Sequence, residues 1–498
     1  MPTSHRSVSF RGGLIQFPTT PSDTPRRNSA RAMPSVMRQR VRLVGCCTAQ
    51  LSVSRSTSVI PGWNTMGRAR DAAGSTGWRA GRWTCPYCPQ RGRAAGTGWS
   101  AMSMATEGGA AAASPTDPDF KRPAFLELFF DLVYVFALVT LATTLAENLT
   151  WTGAAETLVL LLAFTMIWAL TVWGADSLDL ERPSGQGQLI WVAAASLLLA
   201  AAAADAYGDH ALLFAVTYVL IHASTSVYYS LVAPSRTLLP SVIRIQIWEG
   251  VAGVGWIGGA LVGGSGQLPI WALAVVVEYS AAGFGWPVPG IGRSRARDWR
   301  LAGGRVAERY RQFVIVALGV SIFVTGTTFS MSEYTMERAW ALAVVFGTVV
   351  LMWRIYIYRA GELLTEAIAR SSNPGLLTQS AAVTHLIMVA GIVGAAVTSH
   401  LVVGRPWGET PPSWAAVILG GPALYLVGRG VLDFTVFGRI SRSRSAGLVL
   451  LACVAPATPL LPPVLVALLA MTVLALIAAA NLVSTRQHAR TPAPPMLR

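Results

Sequence analysis

Glu127 and Asp131 are two carboxylates set four residues apart inside the apolar run FLELFFDLVYVFALVTLATTLA, Phe125 to Ala146. Four residues place both on one face of a helix. The run has about the 20 residues that an α-helix needs to cross a bilayer. A carboxylate at the bilayer centre costs roughly 2.5–3.5 kcal/mol on insertion scales, so it faces protein or water and has a partner. Two chemistries fit such residues. One is the ion pair that locks helices together. The other is a hydrated cavity that takes an ion, a proton or a small charged solute.

Further ionisable residues recur inside later apolar runs. Arg244 and Glu249 fall in the fifth run and Glu278 lies past the middle of the sixth. Glu308, Arg309 and Arg311 open the seventh, and Arg354 closes the eighth. His385 lies a third of the way into the ninth, and Arg429 and Asp433 form an i,i+4 pair late in the tenth. His222 is near mid-depth. The candidate intramembrane polar site is therefore Glu127, Asp131, Arg244, Glu278, Glu308, Arg309, His385, Arg429 and Asp433. Arg309 is the expected partner of Glu127, since both stand at the entrance of their runs. Asp131 has Arg244, Arg309, His385 and Arg429 as candidates, with His385 or Arg429 left once Arg309 is assigned. The usual titration range of His385 suits proton exchange; a helix-packing donor is the competing role.

The elements that position these residues are membrane spans. The chain is 53% hydrophobic and 13% charged, a multi-span profile that excludes an ordinary soluble enzyme. We read an all-α, polytopic helical bundle of about twelve spans. They run near 125–146, 155–174, 188–206, 211–232, 241–264, 267–286, 310–330, 338–359, 378–400, 413–437, 446–462 and 463–483. Pro456, Pro459, Pro462 and Pro463 interrupt the last pair, which could instead be one broken span or a re-entrant hairpin. Ten spans would keep the same parity. Arg and Lys gather in alternate connections, above all at Arg293, Arg295, Arg297 and Arg300, whereas the other side receives Arg338 and Arg405. By the positive-inside rule both termini are cytoplasmic. LELFFDLVYVFAL from Leu126 can be laid against AERYRQFVIVALG from Ala307, which suggests a six-plus-six parallel repeat.

Residues 1–103 differ in kind. They hold fifteen Arg against two acids, whereas residues 104–498 hold 24 basic and 22 acidic residues. The net charge of +15 thus belongs mainly to this extension, and no nucleic-acid partner is implied for the spans. Rich in Arg, Ser, Gly and Pro, the extension is expected to be disordered. It reads as sequence upstream of a start at Met102 or Met104, or as an organellar transit peptide. A short polar segment, 104–124, leads into the membrane domain, 125–485, and a cytoplasmic tail, 486–498, ends the chain.

No phosphate-binding GxxxxGK[ST], zinc HExxH, GxSxG elbow or TVGYG filter occurs. The CPYC at Cys85–Cys88 lacks the βαβ setting of a redox motif. Gly250-x2-Gly253, Gly391-x2-Gly394 and Gly420-Gly421 mark close helix contacts. No enzyme, metal or cofactor is expected.

FLELFFDLVYVFAL resembles the opening signature of the bacterial low temperature requirement A family, an ELFFDLVFVFAI-like span. AERYRQFVIVALG is similar to that family's H-x-x-ERxGLFxIIxLGE segment. THLIMVAGIVGAAV from Thr384 and GGPALYLVG from Gly420 are similar to its later segments. Two positions depart: the His before ER would fall at Arg305 or Val306, and Val320 replaces the closing Glu. The resemblance implies a multi-span membrane protein linked to growth at low temperature, in a bacterial plasma membrane, and implies no particular activity. The leading expectation is a transporter or channel for an ion or small charged solute, using an inner-half charged cavity. The alternative is a non-transporting stress factor that acts through lipid or partner proteins. The sequence carries no signal of oligomeric state.

Overall fold

A backbone crossing lipid must satisfy its own polar groups, and a long apolar run does so as a helix. The computed structural model describes residues 125–176, 182–232, 239–294, 303–358, 362–371 and 373–487. Among these, twelve helices are long and apolar enough to span a membrane, and no strand occurs beyond one bridge, Val288 to Gly292. The expectations for residues 1–124 and 488–498 lie outside the described residues.

The helices are α1 (Phe125–Glu147), α2 (Trp151–Asp176), α3 (Pro183–Ala202), α4 (Ala211–Val232), α5 (Leu239–Val262), α6 (Gly264–Phe284), α7 (Gly303–Ser330) and α8 (Met336–Tyr356). They continue with α9 (Glu362–Arg370), α10 (Pro374–Gly404), α11 (Pro412–Phe437), α12 (Arg442–Val454) and α13 (Pro463–Gln487). Several begin earlier than hydropathy suggests, because a polar first turn carries no apolar signal. Pro183 and Pro374 open α3 and α10, where the missing N–H of proline is harmless.

The prolines near residue 460 separate two spans rather than break one. Helix α12 tightens into a 3-10 turn, Ala455–Leu460, that contains Pro456 and Pro459. The chain then reverses and α13 starts at Pro463. Thr410 donates to the Leu461 carbonyl at 2.6 Å, tying this reversal to the α10–α11 connection.

Helix α9 is an addition that leaves the twelve spans as read. Its nine residues are too few and too charged to register as a span. Leu364, Ala367 and Ile368 are buried at helical spacing, against α7 and α10.

Helix contacts recur between the halves. The contacts α1–α2, α1–α3, α3–α4, α4–α5, α5–α6, α2–α4 and α2–α6 have counterparts in α7–α8, α7–α10, α10–α11, α11–α12, α12–α13, α8–α11 and α8–α13. The two sets of six spans thus share most of one packing plan, the α11–α13 and α10–α13 contacts having no comparable counterpart in the first half, and α1 meets α7 between them.

The closest seam is α10 on α11. A methyl on Gly391 would lie 2.5 Å from the Tyr425 amide nitrogen, and one on Gly428 would lie 2.8 Å from the Met388 amide nitrogen. Small residues allow this approach. Gly420 and Gly250, in contrast, face open space.

Candidate functional site

Helix α1 turns one face inward. Glu127, Phe130, Asp131, Tyr134 and Leu138 are buried, whereas Phe129, Leu132 and Phe136 are exposed. Helix α7 meets that face with Arg305 and Arg309, again four residues apart. Arg305 donates to Glu127 at 2.7 Å. Arg309 donates twice to Asp131, at 2.8 Å to each carboxylate oxygen. Both pairs join residues 178 apart in sequence, so the two helices run parallel and the pairs form two rungs. Trp168 of α2 donates to Asp131 at 2.9 Å, and the Arg309 guanidinium lies 6.0 Å from the Trp168 ring centre. Such two-point pairing between planar groups is the strong form of the interaction.

This pairing differs from the sequence expectation. Glu127 takes Arg305, not Arg309, and Asp131 takes Arg309, not His385 or Arg429. The reason is helix register: α7 begins about two turns before its apolar run, so Arg305 is already helical and level with Glu127. The signal was present in the repeated i,i+4 spacing.

The other expected members fall in separate places. His385 stacks on Tyr310, ring centres 5.1 Å apart. Its Nδ1 meets the Ala381 carbonyl at 2.7 Å and its Nε2 meets the Tyr356 hydroxyl at 3.0 Å. A carbonyl only accepts, so Nδ1 carries the proton; in the neutral ring Nε2 accepts from Tyr356. Trp173 donates to the Tyr310 hydroxyl, which donates to the Thr378 carbonyl. His385 is thus locked at the junction of α7, α8 and α10.

Arg429 and Asp433 pair within α11 at 2.5 Å. Arg444 of α12, which sequence reasoning left out, binds the other Asp433 oxygen. Arg429 also donates to the carbonyls of Ile355, in the last turn of α8, and of Tyr358, just past it. Arg244 holds the α6–α7 connection, donating to the Ser294 hydroxyl at 3.0 Å and the Ile291 carbonyl at 2.8 Å. Glu308 pairs with Arg311 on its own helix, partly exposed.

Glu278 belongs to a different cluster, at mid-depth between α4, α5 and α6. Tyr218 donates to it at 2.8 Å and Trp256 at 3.2 Å. Beside it, Nδ1 of His222 meets Glu249 at 2.9 Å, and Ser226 donates to the other Glu249 oxygen at 3.0 Å. The nine candidates therefore form no single cavity. They divide among a parallel seam, two helix locks, a loop clamp, a surface pair and this acidic cluster. No group of three or more His, Cys, Asp or Glu among the described residues could hold a metal ion.

These features define a polytopic α-helical membrane protein with buried charges at its helix contacts. The chain belongs to the bacterial low temperature requirement A family, whose model matches residues 122–479. Among its relatives is an uncharacterized protein of Rhizobium meliloti (strain 1021). It is 33% identical over 314 residues, which cover 62% of this chain and 76% of the relative. No solved structure matches. Arg305, one of the two positions where the resemblance sets the family's His, is a rung of the seam. Val320 is buried in the apolar core.

Proposed function

We propose that this protein carries an ion or small charged solute across a bacterial plasma membrane, with both termini in the cytoplasm. The observation that supports this is the recurrence of one helix-contact plan in both halves, joined at the α1–α7 seam. Repeated halves that meet around buried polar groups are the plan of many secondary transporters. In this reading the seam holds the halves in register, and solute passes where charge is not already paired.

A second reading has its own support. Glu127, Asp131, Arg429 and Asp433 are engaged by fixed partners, as expected of a structural lock. That favours a non-transporting membrane factor for growth in the cold, acting through lipid or partner proteins. Flux assays on purified protein in liposomes separate the two. A protein-dependent flux of protons, Na⁺, Rb⁺ or an organic anion supports transport. Vesicles no leakier than protein-free ones for every solute overturn it.

A further inference from the structure

The α4–α5–α6 cluster holds two carboxylates, Glu249 and Glu278, against one imidazole. Glu278 and His222 are 4% and 6% exposed. Among the described residues, no arginine or lysine side chain enters. Helix α3 carries no charged residue, and α2 carries its only two, Glu156 and Asp176, at its ends. Arg244, on α5 itself, is committed to the α6–α7 connection. Tyr218, Tyr279 and Trp256 complete the polar surroundings, and Tyr279 donates away, to the Leu162 carbonyl. Fully ionised, the cluster would carry more negative than positive charge in a setting where unbalanced charge is costly. A second observation points the same way: the Nε2 of His222 is buried and has no hydrogen-bond partner.

Access differs on the two sides. Toward the α3–α4 connection, a file of tilted aromatic rings runs from His222 to Tyr218 (4.5 Å), Trp256 (4.7 Å), Trp271 (5.0 Å) and Tyr207 (5.0 Å). Such a file of rings leaves little room for water. Beyond it, α1, α2 and residues 203–208 line a cleft of about 230 Å³ that includes Glu156 and Asp205. Toward the α4–α5 connection the groups are polar. Ser226 donates to Glu249, Ser230 donates to the Ser226 carbonyl, and Gln246 donates to Ser230 at 3.4 Å.

From these facts we infer that His222, Glu249 and Glu278 form a proton-binding site loaded from the α4–α5 end. This rests on the transport reading and deepens it by naming the transported or coupling species. Ser226, Ser230 and Gln246 make that end polar, and water admitted there delivers the proton to Glu249. His222 holds it against Glu249, and Glu278 takes a second. The proton leaves to water, so no other reactant is consumed. A proton also needs no cavity of its own, unlike a hydrated metal cation.

The test uses full-length protein in liposomes with a pH-sensitive dye inside and an imposed membrane potential. Wild-type protein should move protons, and Glu249→Gln and Glu278→Gln should each slow this by roughly a hundredfold, the low end for a positioned proton-transfer group. Infrared titration of the detergent-solubilised protein between about pH 5 and 8 supplies a readout independent of flux. A carboxyl C=O band should titrate and should vanish in Glu278→Gln. If that variant does not fold, Tyr218→Phe keeps both carboxyls and should shift the band. A band that does not titrate, with unchanged proton flux in the variants, overturns the inference. Glu278-dependent Na⁺ or Rb⁺ flux without proton flux also overturns it, while transport stands. A titrating, Glu278-dependent band with no flux of any ion leaves the proton site standing and removes the transport reading.

Discussion

The carboxylate of Asp131 and the guanidinium of Arg309 meet face to face, two hydrogen bonds of 2.8 Å apiece, with both side chains almost wholly buried. Their helices open the two halves of the chain. Trp168 closes one side of the pair, and the Nε of Arg309 is buried without a partner.

Removing one member leaves the other charge uncompensated. Asp131→Asn is expected to destabilise the protein by about 3–5 kcal/mol. Arg309→Met combined with Asp131→Leu should recover more than half of that loss, because no bare ion remains. Thermal unfolding in detergent measures both. A single variant as stable as wild type would show that the pair contributes no locking.

The α10–α11 seam makes a steric prediction. Gly391→Ala puts a methyl 2.5 Å from the Tyr425 amide nitrogen, and overpacking of this kind costs about 1–3 kcal/mol. Gly420→Ala meets open space and should change stability by less than about 0.5 kcal/mol. Equal melting points for the two variants would contradict the contact.

His385 is expected to be a lock rather than a carrier. Tyr356→Phe deprives its Nε2 of a donor and should cost about 1–3 kcal/mol with flux unchanged. Proton flux that falls with stability intact would place His385 on the transport path instead.

Orientation is open to direct labelling. Arg293 and Glu409 are exposed in connections at opposite ends of the spans. In a background lacking Cys46, Cys47, Cys85, Cys88 and Cys453, cysteine at Glu409 should react with an impermeant reagent in intact cells. Cysteine at Arg293 should react only after lysis. The reverse order would invert the proposed topology.

The spans were legible because hydropathy acts on each run separately; the run 211–232 coincides with α4, and 463–483 with the apolar part of α13. Partner choice was not legible, because it depends on the relative height of two helices. Arg305 stands outside the apolar run of α7, so by hydropathy Arg309 is the entrance residue. Glu278 was grouped with the inner charges by depth alone, although α6 turns it toward Tyr218 and Trp256. Helix α9 stayed hidden because its apolar stripe is three residues wide.

The acids on α1 and the bases on α7 share one spacing, and this gives their seam a second, poorer alignment. Sliding α1 along α7 by one helical pitch, about 5.4 Å, would set Glu127 against Arg309. Asp131 would then face Phe313, and Arg305 would have lost Glu127. One charge pair would survive where two stand now, and Asp131 would have no base opposite it in a dry contact. A smaller slide breaks both rungs, whereas a tilt about the seam keeps both. The ladder therefore acts as a detent: it permits the halves to pivot and resists their shearing past each other.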